Sequence, residues 1–177
     1  MPDLPRLIVV TGPPGAGKST IAAALRDRLG LPLIAKDALK EALGDALDVR
    51  GGDREASRRL GVATFEVQFA VVRELLACGI SLVVEGNFAV EWAPRRFGGL
   101  PRARIAQVFV TAAPETLRER LLTRDTHRHP VHYDREAADE IAVRATAGEW
   151  RPLPLDGELV EIDTTVWPDL DEVLATV

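Results

Sequence analysis

A glycine-rich stretch near the start of the chain carries the residue types that bind phosphate. Residues 12–19, GPPGAGKS, match the pattern G-x-x-x-x-G-K-[ST] in full. Glycines let backbone N–H groups approach phosphate oxygens without obstruction by a Cβ atom. Lys18 adds a point charge for the β- and γ-phosphates, and the Ser19 hydroxyl is a hard oxygen ligand for Mg²⁺.

The context of this stretch favours a phosphate-binding loop (P-loop) over a chance match in a glycine-rich turn. A β-branched run, LIVVT, precedes it and an amphipathic helix follows, as the motif requires. We therefore predict that the chain binds ATP with Mg²⁺. The predicted nucleotide-binding residues are Gly12, Pro13, Pro14, Gly15, Ala16, Gly17, Lys18, Ser19 and Thr20, together with Arg120, which is treated below.

Two acids stand where later strands are predicted to end. Asp37 follows the second strand and could accept a proton from an attacking hydroxyl, or it could cap the following helix. Glu85 ends the third strand and could hold Mg²⁺ directly or through water, or it could be an ordinary polar strand end. Because parallel strands end at one edge of a sheet, both acids are expected to face the nucleotide crevice.

Several arginines follow the fourth predicted strand. Arg120 and Arg124 are four residues apart, which places them on one face of a helix. An arginine-bearing lid over about residues 120–134 would neutralise developing charge on the phosphates. A solvated charged face that pairs with nearby acids is the alternative, and it is our assignment for Arg118.

Apolar strands alternate with amphipathic helices along the whole chain, which predicts an α/β fold with a parallel sheet. We treat residues 1–177 as a single domain. The predicted strands are 7–11, 31–35, 80–85, 104–110 and 159–162. The predicted helices are 19–29, 37–47, 53–77, 114–122, 135–147 and 169–175.

The overall charge bears on the partners. A formal charge of −5 and a sequence pI of about 5.3 disfavour a long nucleic acid. The sequence has neither a bilayer-spanning apolar run nor a secretory signal, so we expect a cytoplasmic monomer or homodimer without a membrane partner. The lone Cys78 is predicted to be a buried small residue.

Taken together, these motifs resemble the small P-loop kinases: polynucleotide kinase, chloramphenicol phosphotransferase, gluconate kinase and the zeta toxins. Lys36, Asp37 and Lys40 match the basic and catalytic residues after strand two of the polynucleotide kinase pattern. Glu85-Gly-Asn87-Phe88 matches its acid-x-Asn element, and Arg120 and Arg124 match its pair of lid arginines. The resemblance implies a P-loop NTPase fold with strand order 2-3-1-4-5 and catalytic roles for Lys18, Asp37, Arg120 and Arg124.

The predicted substrate-side residues are Asp37, Lys40, Glu85 and Asn87, which belong to the matched elements, and Arg128, which follows the lid arginines. Two departures from the pattern stand out. The third-strand acid is Glu85 rather than aspartate, and Lys40 replaces an expected arginine. Since lysine cannot make a bidentate phosphate contact, a 3′-phosphorylated nucleic-acid end is a disfavoured substrate.

Two further groups of residues have open roles. His127, His129 and His132 could ligate zinc, or they could belong to a lid that faces phosphate or substrate. Trp92, Phe97 and Trp150 could form an aromatic wall for a substrate. Phe65 and Phe69, four apart on the long helix, fit either the core or a pocket.

The leading functional hypothesis is a kinase that transfers the γ-phosphoryl group of MgATP to a hydroxyl of a small molecule. A nucleic-acid 5′-hydroxyl kinase and an ATP-binding switch or regulatory module are the alternatives. The sequence lacks the N-K-x-D motif that reads guanine, which argues against a GTPase.

Overall fold

Five parallel strands form one sheet in the computed structural model, which describes residues 3–49, 54–124, 129–133, 135–175 and 177. The strands are β1 (Arg6–Thr11), β2 (Leu33–Ala35), β3 (Leu82–Glu85), β4 (Arg104–Thr111) and β5 (Glu158–Asp163). Their spatial order is β2-β3-β1-β4-β5. The predicted α/β P-loop NTPase fold and its strand order are confirmed.

Helices connect the strands and cover both faces of the sheet. They are α1 (Lys18–Leu29), α2 (Lys36–Ala46), α3 (Arg54–Ala77), α4 (Ala93–Gly98), α5 (Pro114–Thr123), α6 (Ala138–Thr146) and α7 (Leu170–Ala175). The helix α4 was not predicted. Its six residues are too few for a helical repeat to show in the sequence.

The central strand β1 separates two layers of the hydrophobic core. Successive side chains of a strand point to opposite faces. Ile8 and Val10 therefore pack with α1 on one face, whereas Leu7 and Val9 pack with α3 on the other. All four side chains are at most 1% exposed, which explains why the strand reads as an unbroken apolar run.

The register of three neighbouring strands brings their carboxyl ends to one level. Ala35 of β2 lies opposite Glu85 of β3, and Glu85 lies opposite Val10 of β1. The P-loop leaves β1 just after Thr11, and α2 begins directly after β2. The loop and the start of α2 consequently flank Glu85.

Cys78 is exposed, so the prediction that it is buried was wrong. The residue lies just beyond the last residue of α3, in a turn that Gly79 and Ile80 close by hydrogen bonds to Leu76 and Leu75. The turn carries it away from the apolar face of the helix.

No helix in the described parts of the chain has the length and apolar character needed to cross a membrane.

The close approach of Gly12 to β4 gives a prediction about stability. Gly12 has φ +144°, and a Cβ atom there would lie 1.9 Å from the carbonyl oxygen of Val110. Gly12→Ala should lower the free energy of unfolding by roughly 2–3 kcal/mol or more, because backbone must move to relieve the clash. Urea denaturation measures this change.

Gly61→Ala is the matched control. Gly61 lies inside α3, and nothing lies within 4 Å of a Cβ atom built there. Alanine should stabilise this helix by roughly 0.5–1 kcal/mol, since it restricts the unfolded chain and favours helix. Equal stability of the two alanine variants would contradict the assignment of a backbone clash at Gly12.

Candidate active site

A crevice of about 420 Å³ lies at the carboxyl edge of the sheet. The P-loop forms one wall, and α2, α3 and the end of β3 form the opposite side. The crevice brings together most of the predicted site residues: Pro14, Gly15, Gly17, Lys18, Ser19, Thr20, Asp37, Lys40, Glu85, Asn87 and Arg124. Residues scattered over more than a hundred positions of sequence thus face one cavity.

The P-loop has the backbone shape that its glycines predict. Gly12, Gly15 and Gly17 all have positive φ angles. Gly17 stands at the N-cap of α1, so the first free N–H groups of that helix open toward the crevice. Anions are favoured at such a helix start, because the partial positive charge of the helix dipole adds to the donors.

Lys18 and Glu85 are buried charged groups in the floor of the crevice. Lys18 is 8% exposed and its Nζ donates to the carbonyl oxygen of Pro13 at 2.8 Å, while Glu85 is 4% exposed. Burial lowers the pKa of the Lys18 ammonium, and the nearby carboxylates of Glu85 and Asp37 oppose that change. Burial raises the pKa of the Glu85 carboxyl, and the charge of Lys18 opposes it in turn.

Asp37 lies in the first turn of α2 but does not occupy its cap position. Ala35 is the N-cap residue, because the helix begins at Lys36 directly after β2. The alternative that Asp37 is the N-cap is therefore wrong. Its carboxylate lies 3.1 Å from Lys36 Nζ and its side chain is 36% exposed, so it can meet a molecule in the crevice.

Lys40 and Asn87 also line the crevice, in different surroundings. Lys40 is buried, and its Nζ donates to Ser57 Oγ at 2.8 Å and to the carbonyl oxygen of Val131 at 3.2 Å. Asn87 follows β3 and is exposed. Lys40 thus joins α2 to α3 and to the segment 129–133.

Arg120 and Arg124 occupy separate places. The helix α5 ends at Thr123 and Arg124 has an extended backbone, so the argument that both share a helix face was wrong. Arg124 lines the crevice. Arg120 instead donates to the hydroxyl of Thr164 at 2.9 Å and to its carbonyl oxygen at 2.5 Å, and it lies 5.8 Å from the ring centroid of Trp167.

The remaining arginines of the predicted lid fall outside the crevice or outside the described residues. Arg118 pairs with Asp139 of α6 at 2.5 Å on the surface, as expected for a solvated charge. Arg128 lies outside the described residues, as does part of the predicted lid.

The histidines that the structure describes make individual contacts with carboxylates of α2. His129 Nε2 lies 3.1 Å from Asp45 Oδ1, and His132 Nε2 lies 2.8 Å from Glu41 Oε1. His127 is outside the described residues. Within the described ranges, no three His, Cys, Asp or Glu side chains are grouped closely enough to hold a metal ion.

The predicted aromatic wall divides in two. Trp92 and Phe97 lie in one cluster with Phe65 and Phe69, whereas Trp150 stands elsewhere, with Arg144 4.7 Å from its ring centroid. Trp150 packs instead in a small core group with Leu121 and Ile141. Phe97 is only 3% exposed and belongs to the core.

Gln68 has a structural position that the sequence did not reveal. Its side-chain amide nitrogen donates to the carbonyl oxygens of Ile34 and Glu85, both at 2.8 Å. Within the described ranges, the Oε1 atom of Gln68 is the buried side-chain atom without a hydrogen-bond partner. The residue ties together the end of β2, which leads to Asp37, and the end of β3, which includes Glu85.

Comparison with known proteins places this site in a family. A family model described as an AAA domain, AAA_18, matches residues 8–140. The chain belongs to the AAA_18 family. The match includes the P-loop, Asp37, Glu85 and Arg124, all of which lie within those residues.

Solved structures agree with the placement in the AAA_18 family. The chain is 35% identical to a protein of Chloroflexus aurantiacus described as a "putative kinase", with a TM-score of 0.89 over 98% of this chain and 97% of that chain. A gluconokinase of Sinorhizobium meliloti has 22% identity and a TM-score of 0.55, covering 98% and 89% of the two chains. A shikimate kinase of Bacteroides thetaiotaomicron has 21% identity and a TM-score of 0.56, covering 97% and 95%.

These two more distant likenesses concern the fold alone, and with the family match they confirm the predicted resemblance to the small P-loop kinases. Curated relatives add little about activity. Uncharacterized proteins of Mycobacterium tuberculosis and Mycobacterium bovis are 27% identical to this AAA_18 protein over 127 residues, 67% of its chain. The chain spans about a quarter, 26%, of their length.

The bridging position of Gln68 gives a testable prediction. Gln68→Leu replaces the polar amide by an apolar side chain of similar size and removes both hydrogen bonds to the strand ends. The free energy of unfolding should fall by roughly 1–3 kcal/mol, because buried carbonyl groups lose their donors. Turnover of ATP should fall as well, since the ends of β2 and β3 position Asp37 and Glu85.

Gln107→Leu is the matched control. Gln107 is equally buried, and it exchanges two hydrogen bonds with the backbone of Leu153, away from the crevice. Both variants should be destabilised to a similar degree in urea, but only Gln68→Leu should lower kcat. An equal effect of both substitutions on kcat would show that Gln68 contributes to stability but has no specific role in positioning the site.

Proposed function

We propose that the protein is an ATP-dependent kinase that transfers the γ-phosphoryl group of MgATP to a hydroxyl of a small molecule. The observation that carries the proposal is the shared crevice, in which the P-loop with Lys18 faces the accessible carboxylate of Asp37. A switch protein needs the first of these features but has no use for the second. The kinases among the similar structures add support of a general kind.

The crevice has the hydrogen-bond donors and the space that a nucleoside triphosphate requires. The positive φ angles of Gly15 and Gly17 turn the loop backbone, and Lys18 supplies the buried positive charge. Thr20 lines the same wall and is proposed to donate to the α-phosphate. The remaining loop residues Gly12, Pro13, Pro14 and Ala16 hold this backbone in place.

The donor set also fits Mg²⁺. Ser19 and Glu85 both line the crevice and offer hard oxygen ligands, with Glu85 acting directly or through water. Burial raises the pKa of Glu85, so a cation at this position would stabilise its charged form. When bound, Mg²⁺ supplies positive charge that neutralises the phosphate oxygens during transfer.

On the acceptor side, Asp37 is proposed to act as the general base. Its carboxylate takes the proton of the acceptor hydroxyl as the new bond between that oxygen and the γ-phosphorus forms. The bond from the γ-phosphorus to the bridging oxygen breaks, and ADP leaves. Lys36 Nζ lies 3.1 Å from Asp37 Oδ1 and can orient the carboxylate toward the acceptor.

The two arginines are proposed to have different roles. Arg124 lines the crevice and can neutralise charge on the transferred group. Arg120 contacts the carbonyl oxygen of Gly15 at 3.4 Å and the carbonyl oxygen of Thr164, so its contacts support a role in positioning the P-loop. Its catalytic and nucleotide-binding roles stay predictions. Lys40, Asn87 and Arg128 remain proposed substrate-side residues.

The most direct experiment is a screen for ATP consumption. Purified protein with MgATP is incubated with sugars, amino sugars, nucleosides and hydroxylated antibiotics, and the formation of ADP and of a phosphorylated product is measured. A compound that raises both in equal amounts identifies the acceptor class. Formation of ADP without any phosphorylated acceptor would favour the ATP-binding switch instead.

Lys18→Ala should abolish phosphoryl transfer while the protein stays folded. The loop backbone survives, but the charge contact with the β- and γ-phosphates is lost. Turnover and thermal unfolding are measured together. Arg26→Ala removes an exposed cation from the same helix and is the control, for which turnover should be unchanged. Full activity of Lys18→Ala would exclude the proposed phosphotransfer.

Asp37→Asn should slow transfer by roughly two orders of magnitude or more, because the amide cannot accept the proton. ATP affinity and thermal stability should stay close to those of the wild type, since the shape of the side chain is kept. Asp27→Asn makes the same change at an exposed position of α1 and should have no effect on kcat. Unchanged kcat in Asp37→Asn would remove this residue from the chemistry.

A further inference from the structure

We propose that the acceptor carries an apolar, ring-bearing body that binds in a second cleft beside the phosphate crevice. This inference rests on the proposed kinase function and specifies its substrate class. The second cleft, called here the aromatic cleft, has a volume of about 390 Å³. Phe65, Phe69, Trp92, Gly61 and Val62 form its apolar lining.

The aromatic lining is only partly used by the hydrophobic core. Phe69, Phe88 and Phe97 are at most 6% exposed and pack edge to face with one another. Phe65 and Trp92 have ring centroids 4.8 Å apart, and both are only half-buried, at the edge of this group. Their open faces offer an added ring the edge-to-face contacts that aromatic pairs prefer.

Two small features of α3 keep the cleft open. Nothing lies within 4 Å of a Cβ atom built at Gly61, so the helix presents bare backbone to the cleft. Val62, the next residue, also lines the cleft and is 57% exposed. An apolar body that covered these positions would remove apolar surface from water, which favours binding.

The cleft is continuous with the reaction site. Lys36, Arg58 and Asn87 line both the phosphate crevice and the aromatic cleft. Lys36 Nζ lies 3.1 Å from the carboxylate of Asp37 and 5.9 Å from the ring centroid of Phe65. A hydroxyl presented to Asp37 therefore leaves the rest of its molecule next to the aromatic lining.

The charges around the cleft are paired, which favours recognition of a ring over recognition of an anion. Arg58 makes two hydrogen bonds of 2.9 Å to Glu55, and Arg96 makes two to Glu66. Lys36 is paired with Asp37. Because each of these cations has a carboxylate partner, the attraction that the cleft offers comes mainly from its apolar lining.

The experiment uses hydroxylated compounds that differ only in the proposed body. Phenyl glycosides and the corresponding methyl glycosides of several sugars are tested for binding by saturation-transfer difference NMR, with the intact chain and a non-hydrolysable ATP analogue. The phenyl compounds should bind roughly tenfold tighter or more, since only they bury a ring against Phe65 and Trp92. Equal binding of both series, or no binding of any phenyl compound, would overturn the inference.

Two leucine variants on the same helix locate the binding. Gly61→Leu fills the cleft from a position with open space, and it should weaken binding of the phenyl compounds by roughly tenfold or more. Ala63→Leu adds the same side chain at an exposed position of α3 that lines neither cavity, and it should bind like the wild type. Unchanged binding in Gly61→Leu would place the ring elsewhere and overturn the inference.

The transfer reaction separates this inference from the kinase proposal. With the acceptor found by the ATP-consumption screen, Gly61→Leu should raise KM for the acceptor and leave KM for ATP unchanged. If the protein phosphorylates an acceptor without an apolar body, and Gly61→Leu does not affect that reaction, the inference about the aromatic cleft is wrong while the kinase proposal stands. Ring-dependent binding without transfer to any acceptor would support the cleft and count against the kinase proposal.

Discussion

The crevice depends on three parallel strands that end at the same level. Glu85 is held between Ala35 and Val10 by the register of β2, β3 and β1, and Gln68 ties the ends of β2 and β3 from α3. Because the P-loop and α2 start within two residues of this level, their positions follow from the register. A slip of one residue would turn every side chain of the slipped strand to the other face of the sheet and carry Glu85 away from Lys18.

Lys18 and Glu85 are both buried at this edge of the sheet, and burial of a charged group costs free energy. Each group loses hydration, which shifts the pKa of the lysine down and that of the glutamate up, and each opposes the shift of the other. The two charges therefore compensate each other in part, and a bound phosphate and a bound Mg²⁺ would add charges opposite to those of Lys18 and Glu85, respectively.

Features of this molecule that depend on local sequence patterns were predicted better than features that depend on long-range contacts. The P-loop and most helices and strands could be read from glycine positions and from apolar repeats that act over a few residues. The separation of Arg120 from Arg124 could not, because it depends on where α5 ends, and the separation of Trp150 from Trp92 depends on packing with α6. Gln68 carries no signal in one sequence, since its partners are backbone carbonyls that any residue supplies.

The P-loop and the proposed base are positioned by different parts of the chain. On the nucleotide side, Trp167 lies so close to Gly17 that a Cβ atom there would be 2.6 Å from its ring, and Arg120 links Trp167 and Thr164 to the loop. On the acceptor side, α2 carries Asp37 at its start, and the carbonyl oxygen of Val131 accepts from both Lys40 and Ser57. The segment 129–133 is thus anchored to the helix that bears Asp37, whereas the loop after β5 is anchored to the P-loop. The contacts of Val131 and Trp167 therefore bear on the relative positions of Asp37 and Lys18, and so on the geometry of the proposed transfer, without involving the proposed reacting atoms.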